Sequence, residues 1–242
     1  MIRSWPPLSR LHLVAEPTGY RLLELVAVLD RLRSPGGCPW DARQTHESLI
    51  EYLIEETYET VEAIESGNSA HMREELGDLL LQVIFHARIA TEAPDSFDID
   101  DVADGIIAKL ISRHPHVFAD GQGATAAEVE ANWHRLKAVE KGRTSVTDGI
   151  PEALPALLRA AKLHSRAASG GISVVARDSA ISVAAQNAWD SATAPAADRT
   201  FALGELLLEL ALAAKAEGID AESALRAATR RYADRLRQVE RS

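Results

Sequence analysis

The stretch from Leu79 to Ile89 constrains the fold most, because it is apolar on nearly every face of a helix yet has Glu75 and Asp78 at its entrance. A helix that is apolar all round is normally buried on all sides. Glu75 and Asp78 are three apart, hence neighbours on one helical face. Two like charges driven toward a buried interface are costly unless something positive meets them. The surrounding sequence offers few basic residues. A hard divalent cation is the economical counter-charge. Mg²⁺ in particular takes a few carboxylates while keeping waters and substrate phosphates in its shell.

That buried helix needs helical partners, and the composition supplies them. The 242 residues are rich in Ala, Leu and Glu, which are strong helix formers, and only 5% are aromatic. The fold class is therefore all-α, and 46% hydrophobic residues can furnish a real core. A formal charge of −10 argues against a general binder of nucleic-acid polymers, which needs a basic stripe. A small anionic substrate remains open if a metal brings the positive charge. Cys38 has no second cysteine to pair with, which suits a reducing cytosol. No span reaches the roughly 20 apolar residues of a membrane helix. Pro6, Pro7, His12 and Glu16 interrupt any signal-like run at the start, so the expected location is cytoplasmic.

Along the chain, residues 1–19 read as an irregular arm. Helices are expected over about Tyr20 to Arg33, Thr45 to Glu65, His71 to Thr91, a fourth from the Asp98 to Asp101 caps to about Arg113, and one from the Thr125-x-x-Glu128 capping box to about Lys141. Ser34-Pro35-Gly36-Gly37, Gly67-Asn68 and Pro115 punctuate them. Residues 20–142 thus form a helical domain of the antiparallel four-helix-bundle type. Residues 143–155, with Gly149, Pro151 and Pro155, form a linker, and residues 156–242 form a second helical domain. That second part echoes the first in weaker form: Leu76-Gly77-Asp78-Leu79-Leu80-Leu81 returns as Leu203-Gly204-Glu205-Leu206-Leu207-Leu208. Chance likeness of two Leu-rich helices is the plain alternative.

On the second helix Leu49, Ile50, Leu53, Ile54, Val61 and Ile64 gather on one arc, with Glu51, Glu55, Glu59 and Glu62 opposite and Glu56 at the apolar edge. By itself this is a solvated acidic face. The short turn at Gly67-Asn68 makes this helix antiparallel to the next, which sets Glu55, Glu56 and Glu59 opposite Glu75 and Asp78 in one acidic cluster. A di-iron bundle would want Glu-x-x-His on facing helices, and no histidine here has a glutamate three residues before it.

Glu55-Glu56-x-x-Glu59 followed by Glu75-x-x-Asp78 resembles the signature of the MazG nucleoside triphosphate pyrophosphohydrolases, within the all-α NTP pyrophosphatase superfamily. Gly37-Cys38-Pro39-Trp40-Asp41, Gln44-Thr45-His46, Arg113-His114-Pro115-His116-Val117-Phe118 and Trp133-x-x-x-Lys137 extend the likeness over about residues 20–170. The resemblance implies a Mg²⁺-dependent enzyme, with Mn²⁺ as a substitute, that splits nucleoside triphosphates into monophosphate and pyrophosphate as nucleotide-pool house-cleaning. It implies Glu56, Glu59, Glu75 and Asp78 as metal ligands, and Glu55 or Glu56 as the group that handles the attacking water. Lys109, Arg113 and Lys137 would meet phosphates, and Trp133 and Trp40 the base. Trp40 reads equally well as a plug of the bundle, and His114 and His116 as cap or loop residues. Tyr52 departs from the lysine that some MazG domains carry there.

In the second part Ala202 stands where Glu75 stands, and no glutamate occurs between Glu152 and Glu205, so that repeat has lost its metal ligands. Packing, dimerisation or regulation is the role left to it. Apolar helix faces of so short a bundle are expected to be covered in a homodimer. Two other functions stay open at this point: a superfamily relative specialised for dUTP or phosphoribosyl-ATP, and a non-catalytic helical regulator with a decayed site.

Overall fold

A computed structural model describes residues 19–118, 125, 128–129, 144–172, 187 and 195–241. All regular structure among them is helical. The chain divides into two compact units, Met1–Gln122 and Gly123–Ser242.

In the first unit, α1 spans Tyr20–Arg33, α2 Ile50–Ser66, α3 Ser69–Ala90, α4 Ile99–Arg113 and the short α5 Pro115–Phe118, with a 3₁₀ turn at Asp41–Arg43. The breakers act as the sequence suggests. After Arg33 the chain turns extended at Ser34 and folds back, and the Cys38 amide donates to the Leu32 carbonyl at 2.7 Å. Gly67 closes α2 in the left-handed region at φ 70°, where glycine carries no Cβ penalty. Asn68 then caps α3 by accepting from the Ala70 and His71 amides. Asp98 caps α4 in a reciprocal box with Asp101.

One boundary departs from expectation. Helix α2 starts at Ile50 rather than Thr45, because Thr45 and Ser48 bond each other's amides with their hydroxyls and Ser48 also donates to Gln44 Oε1 at 2.7 Å. Such local side-chain bonds compete with helix formation. Helix α4 ends at Arg113 as expected, and Pro115 then opens the short α5 after His114.

Helix α3 is the hub, contacted by α1, α2 and α4, with α2 giving the most extensive interface. Leu29, Leu49, Ile84, Phe85 and Ile89 form the core, and Leu25, Val26, Tyr52, Leu81 and Ile99 pack around it. The expectation that α3 is enclosed on all sides does not hold among the described residues. Leu76, Leu80 and Val83, which share a face at helical spacing, remain 47%, 38% and 41% exposed. At its far end α3 is tied to α1 by ions: Arg33 donates to both carboxylate oxygens of Glu92 at 2.9 Å, and Arg88 bridges Glu92 and Asp30.

In the second unit, α6 (Ala156–Ser169), α7 (Ala196–Ala216) and α8 (Ala221–Glu240) pack against one another. Their buried residues are small: Ala160, Ala167, Ala202 and Ala211. Asp220 caps α8 by accepting from the amides two and three residues on, the pattern Asp98 uses in the first unit. No helix among the described residues is long and apolar enough to cross a membrane.

Candidate metal centre

The antiparallel pairing of α2 and α3 decides which carboxylates meet. Its register is pinned by the buried Thr60, whose hydroxyl donates to the Glu75 carbonyl at 3.3 Å. One turn back along α2 and one turn on along α3 then brings Glu56 opposite Asp78. One ligand oxygen from each of Glu56, Glu75 and Asp78 lies within 4.8 Å of the others. Oxygens on opposite sides of a Mg²⁺ ion are about 4.2 Å apart, twice a bond of about 2.1 Å, so small side-chain movements would let these three share a hard cation.

The electrostatics match that reading. Glu56 is half-buried, and its pKa is raised first by burial and then by the negative charges of Asp78, Glu59, Glu75 and Glu55. Glu59 is pushed the same way, by desolvation first and then by Glu75 and Glu55. Glu75 is 7% exposed. His71, one helical turn before, places its Nε2 2.9 Å from a Glu75 carboxylate oxygen. Carboxylates crowded until their ionised forms are disfavoured are what a bound cation relieves.

The other anticipated residues fall as follows. Glu55 and Glu59 are exposed beside the three clustered carboxylates, close enough for their charges to raise Glu56. Trp40 is 45% exposed, its ring edge-on to Tyr52 with centroids 5.9 Å apart, so it stands at the start of α2 rather than with the carboxylates. Lys109 is exposed on α4, and Arg113 is buried at that helix's last residue. Trp133 and Lys137 lie outside the described residues.

Sequence reasoning missed a line of polar groups on α3. His71, Glu75, Gln82 and His86 recur at intervals of four, seven and four, which a 3.6-residue helix puts on one face, and Asp78 borders it. His86 meets His46 across the bundle, Nδ1 to Nδ1 at 2.8 Å, with the rings parallel. Gln82 is 5% exposed. The interruptions at Gln82 and His86 were a signal in principle, but they sat within a run otherwise read as apolar. The contact between His46 and His86 spans 40 residues and leaves no trace in local pattern.

Comparison with known proteins bears on the same helices. Residues 44–118 match the MazG nucleotide pyrophosphohydrolase domain. The nucleoside triphosphate pyrophosphohydrolase/pyrophosphatase MazG of Thermotoga maritima is 40% identical over 90% of this chain and 84% of its own length. The nucleoside triphosphate pyrophosphohydrolase of Escherichia coli K12 is 37% identical over 90% of this chain and 86% of its own. That of Mycobacterium tuberculosis is 50% identical over 64% and 47% respectively.

Proposed function

Because the chain belongs to the MazG nucleoside triphosphate pyrophosphohydrolases, we propose that it is a hydrolase that converts nucleoside triphosphates to monophosphate and pyrophosphate with Mg²⁺ held by the acidic cluster. The observation that carries this is the approach of Glu56, Glu75 and Asp78 to within 4.8 Å across two helices. Glu59 completes the ligand set from the exposed side. Bound there, Mg²⁺ would lower the pKa of the attacking water and neutralise charge on the phosphates, and Mn²⁺ could substitute.

The protein's own groups do the rest. Glu55, exposed beside the cluster, or Glu56 accepts the proton of the water that attacks the α-phosphorus. Lys109, Arg113 and Lys137 stabilise the negative charge that builds on departing pyrophosphate. Trp40 and Trp133 offer ring faces to the base. The domain scheme that goes with this has catalysis in residues 20–142, a linker at 143–155 and a second, non-catalytic repeat at 156–242. Its support is the matching burial: Ala202 is fully enclosed where Glu75 is enclosed in the first repeat, and Ala211 where Ile84 is. House-cleaning of the cytoplasmic nucleotide pool is the role that fits a lone cysteine and a site built mainly for phosphates. The exposed strip Leu76, Leu80 and Val83 supports a homodimer, which sedimentation of the full chain checks.

Pyrophosphate release from the four common ribonucleoside triphosphates, with Mg²⁺ and with chelator, tests the proposal. Release should require the metal, and Glu59→Ala should abolish it while the helical circular dichroism persists. Near-normal turnover in that variant would refute the ligand assignment.

A further inference from the structure

The polar line on α3 continues past the carboxylates. By helical rise, Gln82 lies about 6 Å and His86 about 12 Å beyond Asp78 along the axis. Both carry a buried polar atom with no hydrogen-bond partner among the described residues: Gln82 Oε1 and His86 Nε2. Buried polar atoms are seldom left unpaired, and one that is calls for an explanation. Here there are two, a single turn apart on the same helix, and on the face that already holds Glu75.

The antiparallel register that sets Thr60 at Glu75 brings Tyr52 level with Gln82, eight residues back on α2 against seven on along α3. Tyr52 in turn holds the edge of Trp40. An aromatic pair, a carboxamide and an imidazole therefore stand at one end of a line whose other end is the acidic cluster of Glu56, Glu75 and Asp78.

From this geometry we infer that Gln82 and His86 form the subsite that reads the base edge of the bound nucleotide, with His46 as the residue that sets the hydrogen-bonding sense of His86. The inference deepens the proposed function and rests on it. A glutamine carboxamide presents a donor and an acceptor side by side, the pattern that pairs with a base edge such as adenine N6 and N7. His86 adds a third point that can switch. In the pair of Nδ1 atoms only one carries the shared proton. When His86 donates it, its Nε2 is an acceptor; when His46 donates it, His86 Nε2 carries a hydrogen and is a donor. A subsite whose polarity follows its occupant accommodates more than one base without unpaired groups.

The test compares the full wild-type chain with Gln82→Met and His86→Leu. Michaelis constants are measured for ATP, GTP, CTP and UTP with Mg²⁺, and inhibition constants for inorganic tripolyphosphate, which has the phosphates and no base. Loss of a hydrogen bond to a base edge should raise KM about tenfold for at least one nucleotide and change the order of preference among the four. The tripolyphosphate constant should stay within twofold of wild type. Thermal melting of Gln82→Met should be unchanged or higher, since an apolar side chain relieves an unpaired buried atom, whereas His86→Leu also loses the bond to His46. If KM and base preference are unchanged in both variants, the two atoms are met by ordered water only and the inference is overturned. It is overturned equally if tripolyphosphate weakens in step with the nucleotides, because that is damage to the whole site. A wild-type chain that releases no pyrophosphate from any of the four nucleotides defeats the proposed function itself, and this inference with it.

Discussion

Replacing Glu92 by glutamine keeps the shape of the link between α1 and α3 and removes its charge. In the native chain the Arg33 guanidinium, with its side chain 5% exposed, donates through two nitrogens to the two oxygens of Glu92, each at 2.9 Å. It also donates to the Asp41 carbonyl at 2.5 Å and lies over the Phe85 ring. Stripping the partner from an enclosed ion pair costs about 3–5 kcal/mol. Glu92 is 46% exposed, so water and the remaining carbonyl bond discount this to about 1.5–2.5 kcal/mol. For a unit of this size that is a fall in melting temperature of roughly 10 °C at neutral pH. The pH dependence has a definite sign. Hydrogen bonding from Arg33, then the charges of Arg33 and Arg88, hold the Glu92 pKa below its ordinary value. The carboxylate's contribution is thus complete above the ordinary range near 4.5 and is lost as pH falls through the lowered folded value. Melting of wild type and Glu92→Gln from pH 7 downward should show a gap that closes in acid. Equal melting temperatures at pH 7, or a gap that persists undiminished once Glu92 is protonated, would refute the reasoning.

Gly37→Ala places a methyl about 2.2 Å from the Leu32 carbonyl oxygen and 2.5 Å from that of Arg31, both backbone atoms that cannot swing aside. Overpacking of this kind should cost about 3 kcal/mol, read as a lowered midpoint in urea. In the second unit Glu205→Ala should leave pyrophosphate release unchanged, because no glutamate lies between Glu152 and Glu205 to supply the ligands that Glu56 and Glu59 supply in the first repeat; a large loss of rate would show that the unit is catalytic.

Much of the site was legible because helix periodicity is local. Glu75 and Asp78 share a face by spacing alone, and the two-residue turn at Gly67-Asn68 dictates the antiparallel pairing that brings Glu56 to them. The caps at Asn68 and Asp98 likewise follow from short polar side chains that satisfy free amides. Less legible was anything decided by competition or by distant contact. Thr45 and Ser48 have hydroxyls that can cap or unwind, and in the fold they delay α2 until Ile50. The Arg33 to Glu92 link and the His46 to His86 pair join residues far apart in sequence, fixed only once α1, the 44–49 turn and α3 are packed. The exposure of Leu76, Leu80 and Val83 shows the same limit. An apolar pattern says that a face favours burial, but not how far each of its residues is covered.

The central claim is that Glu56, Glu75 and Asp78 together hold a divalent cation. Titration of the full chain with Mn²⁺ in the absence of nucleotide, followed by calorimetry or by the loss of free-ion paramagnetic signal, tests it most directly. Wild type should bind the ion, while Glu75→Gln and Asp78→Asn, folded by circular dichroism, should each weaken binding at least tenfold. Wild-type affinity in both variants would contradict the account.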